Sequence, residues 1–544
     1  MWLAAQGYER TPRHVTMVVA KLLYFIHFSD KLLYRFLLCK TITYMSKKEQ
    51  QMNADTSDAS TYPFFLAGEW LVGQDYYAVR SPYNQAIVGY VSRATPADLE
   101  RAIQAAERAL AETRHLSAYR RSSILRTISA SIEAQSEDLA WSIAREAAKP
   151  IKQARAEVQR SIFTFAQAAE EANRIPGEML NLDAAASGTH RQGLVRRFPI
   201  GPVAAITPFN FPLNLVAHKL APAIAAGCPV VLKPASQTPM TALKLAALIH
   251  EAGWPAGALS VLPLRSADAA PLVEDERFKL LTFTGSPDVG WAMKARAGRK
   301  RVTLELGGNA GLIVHHDADL HLAATRAVVG GFAYAGQSCI SVQRIFVHTT
   351  VYDAFMEQFV PAVRALKSGD PLDETSDLSA LITPNDGERV AQWLAEACAA
   401  GAEVVVGGGV QGGLVEPTIL VNAGPELRVN CQEIFAPVVT VQTYEEFATA
   451  IQAVNNSDYG LQAGVFTNDL RLVWYAYETL DVGGVIVNDI PSWRVDHMPY
   501  GGVKHSGFGR EGLKYAIEEM TEPRLLVLNL EPGERPPVRT NIPI

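Results

Sequence analysis

Between residues 203 and 305 the chain alternates short apolar runs with helical stretches, at a pitch that few folds can accommodate. VAAIT (203–207) reads as a strand, 215–226 as a helix, PVVLKP as a strand and 238–252 as a helix. LSVLPL, KLLTFTG and RVTLEL then read as three more strands. Strand and helix alternating in this way imply a parallel, doubly wound sheet covered on both faces, so the expected fold class is α/β. After Glu305 the pattern restarts, with a helix over 320–334, the strand SVQRIFVH, helices near 352–366 and 386–400, and strands at VVVGG, TILVN, VVTVQ, AGVF and GGVIVN. That is a second α/β domain. Ahead of both lies a helical block that opens at the N-cap-like Thr95 before Pro96 and continues through amphipathic stretches at 122–148 and 152–172.

A chain of 544 residues is long enough for two or three packed units, and 48% hydrophobic residues supply ample core. The net charge of -6 gives no global basic field, so nucleic acid is not an expected partner. The five cysteines (Cys39, Cys228, Cys339, Cys398 and Cys431) are widely spaced, with no C-x-x-C pair and no Cys/His cluster at metal-ligand spacing. Neither a disulfide framework nor a metal site is expected, and a reducing, cytoplasmic setting fits. Residues 15–44 are apolar but cut by Lys21, Asp30, Lys31, Arg35 and Lys40. Their uncharged stretches fall short of the ~20 residues a spanning helix needs, so no membrane span is expected. The segment reads as a surface helix, as a transit-like leader, or as chain outside the natural protein, because Met45 and Met52 each open a polar stretch. The last reading is favoured, and residues 1–62 are expected to be a leader without fixed structure.

Three residues carry chemistry in combination. Cys339 sits in GQSC at a helix-to-strand junction, where a thiolate could add to an aldehyde and leave a hydrolysable thioester. Alone, it is as readily an inert core cysteine. Glu305 ends an apolar strand before Gly307 and Gly308, as a general base would or as a solvent-facing glutamate would. Asn210 follows the first strand in a Pro-bracketed turn, as an oxyanion donor or an ordinary turn residue.

Their order and company are specific. ITPFNFPLN, VVLKPASQTP, FTGSPDVG, LELGGNA, GQSC, EIFAPV and PYGGVKHSGFGREG closely resemble the aldehyde dehydrogenase superfamily, from about Pro63 to Leu528, with motifs nearest the lactaldehyde- and semialdehyde-type members. The resemblance implies a Rossmann-like cofactor domain (63–180 and 200–304), an α/β catalytic domain (305–521), a small β oligomerisation extension (181–199 and 522–531) and a tail (532–544). It makes Cys339 the nucleophile, Glu305 the general base and Asn210 the oxyanion donor. NAD or NADP is the implied cofactor. Lys233 would bind the adenosine ribose, and Gly285 and Ser286 the pyrophosphate at a helix N-terminus. Glu433 and Phe435 would position the nicotinamide ribose and ring. Ile206, Thr207, Pro208, Phe209, Ser266, Val289, Gly290 and Leu306 complete the implied cofactor contacts. A homodimer or homotetramer is expected.

Ser236 stands where many NAD-preferring relatives have a glutamate, which removes a charge that would repel a 2′-phosphate, so NADP is expected to be accepted. Asn214, His218, Trp493 and Arg494 occupy positions that line the aldehyde tunnel in relatives. An arginine and hydrogen-bonding side chains there suit a small polar or anionic aldehyde, although Arg494 could equally serve a subunit or surface ion pair. A CoA-acylating enzyme and a thiol esterase are the alternatives. Gly507, Gly509 and Gly512 spell G-x-G-x-x-G but follow a Gly-rich loop instead of a strand, so they are read as a loop and a helix start.

Overall fold

The structure is a computed structural model that describes residues 61–530. The expected leader, apart from its last two residues, and the expected tail lie outside these residues.

Five parallel strands form the heart of the first sheet: β1 (Val203–Ile206), β2 (Val230–Lys233), β3 (Leu259–Val261), β4 (Leu280–Thr284) and β5 (Arg301–Glu305). Their spatial order is β3-β2-β1-β4-β5, so the winding reverses beside β1, the switch point at which open α/β sheets bind ligands. The two faces are sorted by side-chain alternation. Val203, Ala205, Val230 and Leu232 enter the core shared with the helices Ala118–Ala134, Ile151–Glu171, Asn214–Ala226 and Pro239–Glu251. Ala204, Ile206, Val231 and Phe283 point into the opposite core with Phe64, Leu99, Ile103 and Phe278. A sheet apolar on both faces needs helices on both, and these strands have them.

The second sheet carries six parallel strands: β6 (Ala310–Val314), β7 (Val342–His348), β8 (Thr418–Val421), β9 (Val438–Tyr444), β10 (Gln462–Phe466) and β11 (Gly484–Val487), in the order β8-β9-β7-β6-β10-β11. An antiparallel strand, Glu403–Val406, closes the β8 edge. The expected 305–521 unit is not wholly confined to this sheet. Gly507–Phe508 crosses back and pairs antiparallel with β5, Leu304 opposite Phe508, and Gly512 caps the helix Leu513–Glu519.

A separate three-stranded sheet pairs Thr521–Asn529 with Arg191–Pro199 and the latter with Glu178–Asn181. The chain between the last two strands makes two short 3-10 turns, so the expected 181–199 segment holds these turns and the strand Arg191–Pro199. Met179, Leu525 and Leu526 are exposed on this sheet. No helix among the described residues is long and apolar enough to cross a membrane.

Candidate active site

The loops after β1 and β4, the end of β5 and the loop before β7 converge on one cavity of about 240 Å³. Asn210, Glu305 and Cys339, far apart in sequence, all line it.

Cys339 is presented by an unusual stretch of backbone. After the helix Leu320–Phe332 the chain turns left-handed at three successive residues, Tyr334 (φ 51°), Ala335 (φ 51°) and Gly336 (φ 70°). Such a run is costly for non-glycine residues and persists only where neighbours enforce it. Here Tyr334 is buried and donates its hydroxyl to the Ala147 carbonyl at 3.0 Å. Gly336 has no alternative, since a Cβ would lie 2.2 Å from the Ala436 carbonyl oxygen. Asn210 Nδ2 donates to the Gln337 carbonyl at 3.0 Å, which leaves its second amide hydrogen for the cavity.

The thiol lies 3.0 Å from the Tyr500 hydroxyl. Burial pushes its pKa up to about 12, with Glu433 and Glu305 adding to the rise while the Tyr500 hydrogen bond and Arg494 oppose it. Glu305 is 3% exposed, and neither carboxylate oxygen has a hydrogen-bond partner among the described residues. Burial, reinforced by the nearby Glu511, holds its carboxyl well above the usual range against the pull of Arg494, Lys219 and Arg510. Unpartnered buried polar atoms are rare in folded proteins and concentrate where a ligand or water completes them. Asn210 Oδ1, Thr284 Oγ1 and Arg494 Nε share that condition.

Pro208, Phe209, Gly285, Ser286, Leu306, Glu433 and Phe435 also line the cavity. The Glu433 carboxylate accepts from the Gly308 N–H at 2.9 Å, and burial raises its pKa to about 7. Phe435 adopts φ 51° and meets Phe209 edge-on at 6.0 Å. Ile206 and Thr207 are buried at the end of β1, where the Thr207 N–H reaches the Lys233 carbonyl at 3.2 Å. Lys233 ends β2 and is 8% exposed, and burial lowers its pKa. Ser236 is half-buried just beyond it, Ser266 is exposed after β3, and Val289 is exposed in the first turn of the helix Pro287–Arg296. These four residues follow the C-terminal ends of the β strands without lining the cavity itself. Gly290 permits close packing of that helix, because a Cβ would strike Leu306 at 2.4 Å.

The expected substrate residues divide. Asn214 and Arg494 line the cavity, whereas His218 and Trp493 do not. His218 is buried behind it, with Nε2 2.8 Å from Asp496, and the Trp493 side chain is 43% exposed. Arg494 is not a surface ion pair. It stacks 3.5 Å from the Tyr500 ring centroid and places Nη2 3.3 Å from Glu511 and 3.1 Å from His218 Nδ1. A second guanidinium reaches the same cavity from the helix Ile151–Glu171. Arg160 pairs with Asp496 through both oxygens, at 2.6 and 3.3 Å. Arg160, Tyr500 and Glu511 are functional candidates that sequence reading passed over: Arg160 lies on an amphipathic helix, and Tyr500 and Glu511 lie in the motif PYGGVKHSGFGREG, whose glycines alone were weighed, as a loop and a helix start.

The aldehyde dehydrogenase family model matches residues 70–526. The chain is 46% identical over 470 residues to the 3-sulfolactaldehyde dehydrogenase of Priestia aryabhattai, covering 86% of this chain and 98% of that one. Among solved structures it is similar to aldehyde dehydrogenase 21 of Physcomitrella patens in complex with its reaction product succinate, with TM-score 0.85, 45% identity, and coverage of 87% of this chain and 100% of that one. It is also similar to glyceraldehyde-3-phosphate dehydrogenase of Methanocaldococcus jannaschii complexed with NADP, with TM-score 0.80, 38% identity, and coverage of 83% and 98%. The chain therefore belongs to the aldehyde dehydrogenase family and is an oxidoreductase acting on aldehydes.

Proposed function

We propose that this enzyme oxidises a small anionic aldehyde to its carboxylate with NAD or NADP, through a thioester on Cys339. The observation that carries the substrate class is the pair of guanidinium groups, Arg160 and Arg494, on the cavity that also holds Cys339, Asn210 and Glu305. Arginine presents several donors in a fixed fork suited to carboxylate, sulfonate or phosphate oxygens, and Arg494 Nε makes no hydrogen bond among the described residues, Asp496 standing 4.0 Å away. The sulfonated aldehyde in the name of one similar protein and the succinate bound to another both present such oxygens.

The residues fit a dinucleotide. Ser286 begins the helix Pro287–Arg296 without a side-chain cap, so the free N–H groups of its first turn are available to a pyrophosphate. Gly285 lies just before Ser286, packed so closely on the Phe283 ring that a Cβ would meet it at 2.4 Å. Lys233, Ser236, Glu433 and Phe435 are the residues that would hold the remainder. When bound, the nicotinamide accepts a hydride from the substrate carbon.

The protein's own part follows from the geometry. The Cys339 thiol gives its proton to the Glu305 carboxylate, which releases it to solvent, while the sulfur adds to the carbonyl carbon and the oxygen takes the displaced electron pair as an oxyanion. Asn210 Nδ2–H and a backbone N–H of the nucleophile loop stabilise it, as preorganised donors do most effectively in a site that excludes water. Loss of hydride from that carbon restores the C=O bond as a thioester. Glu305 then takes a proton from water, the hydroxide adds, and the C–S bond breaks to give carboxylate and thiol. Its buried, unpartnered carboxylate favours hydrolysis over transfer to CoA. The three-part domain division stands within this proposal. So does a homo-oligomer joined through the three-stranded sheet, which exposes Leu525 and Leu526, and a cytoplasmic setting consistent with the free thiols Cys228, Cys339, Cys398 and Cys431.

Three outcomes are expected. Arg160→Leu and Arg494→Leu each lower kcat/KM for carboxylated or sulfonated three- and four-carbon aldehydes by about 10- to 100-fold, the worth of a charged hydrogen bond. Propanal serves as the neutral control, and an equal loss on propanal would remove the anion-binding role. Initial rates with each cofactor give a kcat/KM for NADP at least equal to that for NAD, and a strong NAD preference would overturn the reading of Ser236. Glu305 must be ionised to act as base, so turnover rises with pH as its raised pKa is crossed. Glu511→Gln removes a like charge that lifts that pKa, and the acid limb of the kcat profile shifts to lower pH. An unmoved limb would uncouple the two glutamates.

A further inference from the structure

Away from the cavity, the C-terminal edge of the second sheet gathers three histidines. β9, β7, β6 and β10 are successive parallel neighbours and all end at this edge. The turn after β6 supplies His315, His316 and Asp317, while β7 ends in His348, β9 ends in Tyr444, and Thr467 and Asn468 follow β10. The His315 and His316 ring centroids are 4.2 Å apart, and the His348 ring lies 5.2 and 5.1 Å from them. One ligand atom each from His315, His316 and Asp317 lies within 4.8 Å of the other two. These three are neighbours in sequence but carry no recognised metal-ligand spacing. They become a candidate set only because the strand end points them together.

The surroundings hold two of them in a ligating state. His315 is 7% exposed, and its Nδ1 lies 2.9 Å from the Tyr444 hydroxyl oxygen, which itself reaches the Val314 carbonyl at 3.3 Å. With the hydroxyl hydrogen on Val314, the phenol oxygen accepts Nδ1–H, and Nε2 keeps its lone pair without a hydrogen-bond partner among the described residues. The Asp317 carboxylate accepts from the Thr467 hydroxyl and the Asn468 N–H, both at 2.9 Å. An oriented imidazole and a hydrogen-bonded carboxylate are the arrangement that outer partners impose on metal ligands. Two nitrogens and a carboxylate oxygen, with no thiolate, suit zinc, nickel or copper(II).

We propose that His315, His316 and Asp317 form a binding site for a divalent transition cation of the zinc type, separate from the catalytic cavity. Cys339 precedes the N-terminal end of β7 and this edge lies at its C-terminal end, so a bound cation takes no part in the chemistry. The rings of His348 and Tyr444 wall one side of the site.

Equilibrium dialysis of the full chain against zinc, with exposed thiols and Cys339 alkylated beforehand by iodoacetamide, tests this. His316→Ala and Asp317→Asn change side chains that are exposed or only partly buried. Unchanged dehydrogenase activity of the unalkylated variants, and an unchanged thermal midpoint in chelator, report that both fold. The expected result is that each variant binds one zinc fewer per chain than the parent, or binds it at least about tenfold more weakly. The parent's thermal midpoint rises on adding zinc and the variants' does not. Equal stoichiometry and affinity in parent and variants would place any bound zinc elsewhere and overturn the proposal.

Discussion

The Arg494 guanidinium, stacked on Tyr500 and held by Glu511, is the contact through which the parts of the cavity act on one another. Tyr500 carries its hydroxyl to the Cys339 thiol. Glu511 also binds Lys219 and raises the pKa of Glu305. His218, on the other side of Arg494, bonds Asp496, which in turn holds Arg160. Charges buried at this depth are tolerated only when they compensate one another. Asp496 and Glu511 both stay ionised although burial opposes it, Asp496 held by His218 and Arg160, and Glu511 by Lys219, His218 and Arg494. Glu305 is the member left without a hydrogen bond among the described residues, and burial, with Glu511 adding to it, holds its pKa raised.

A second constraint is the left-handed run before Cys339. Three residues in that region would not hold a loop open on their own. They are locked by the Tyr334 hydroxyl on Ala147, by the absence of a Cβ at Gly336, and by the Gln337 side chain, whose Oε1 accepts from the Ile382 N–H at 2.9 Å. Asn210 then reaches the Gln337 carbonyl, so the loop of the second sheet is pinned to the turn after β1 of the first. Nucleophile and amide donor therefore keep their relative position before any substrate arrives, the form of preorganisation on which oxyanion stabilisation depends.

What could be read from the sequence divides along a physical line. The β1–β5 alternation was legible because apolar runs of that length, separated by helical stretches, have one common packing solution, and the observed β3-β2-β1-β4-β5 order is that solution. Asn210, Glu305 and Cys339 stood out through motif context and do share a cavity. Arg160 did not, because on a helix it is one basic residue among many, and only its meeting with Asp496, 336 positions later, sets it apart. His218 was expected at the aldehyde from its place in the turn-and-helix motif, yet helical geometry turns it one turn beyond Asn214, into the buried charge network. Trp493 and Arg494 are adjacent, and the chain directs only the second into the cavity. The return of Gly507–Phe508 to the first sheet was hidden for a related reason: a two-residue strand has no periodicity to detect.

The central claim is that the substrate is held covalently by Cys339 and freed by water that Glu305 activates. Intact-protein and peptide mass spectrometry of Glu305→Gln, quenched in acid after mixing with an aldehyde substrate and NAD(P), addresses it directly. The account predicts an acyl group accumulating on the peptide that contains Cys339. No adduct despite rapid formation of NAD(P)H, or an adduct on another residue, would contradict it.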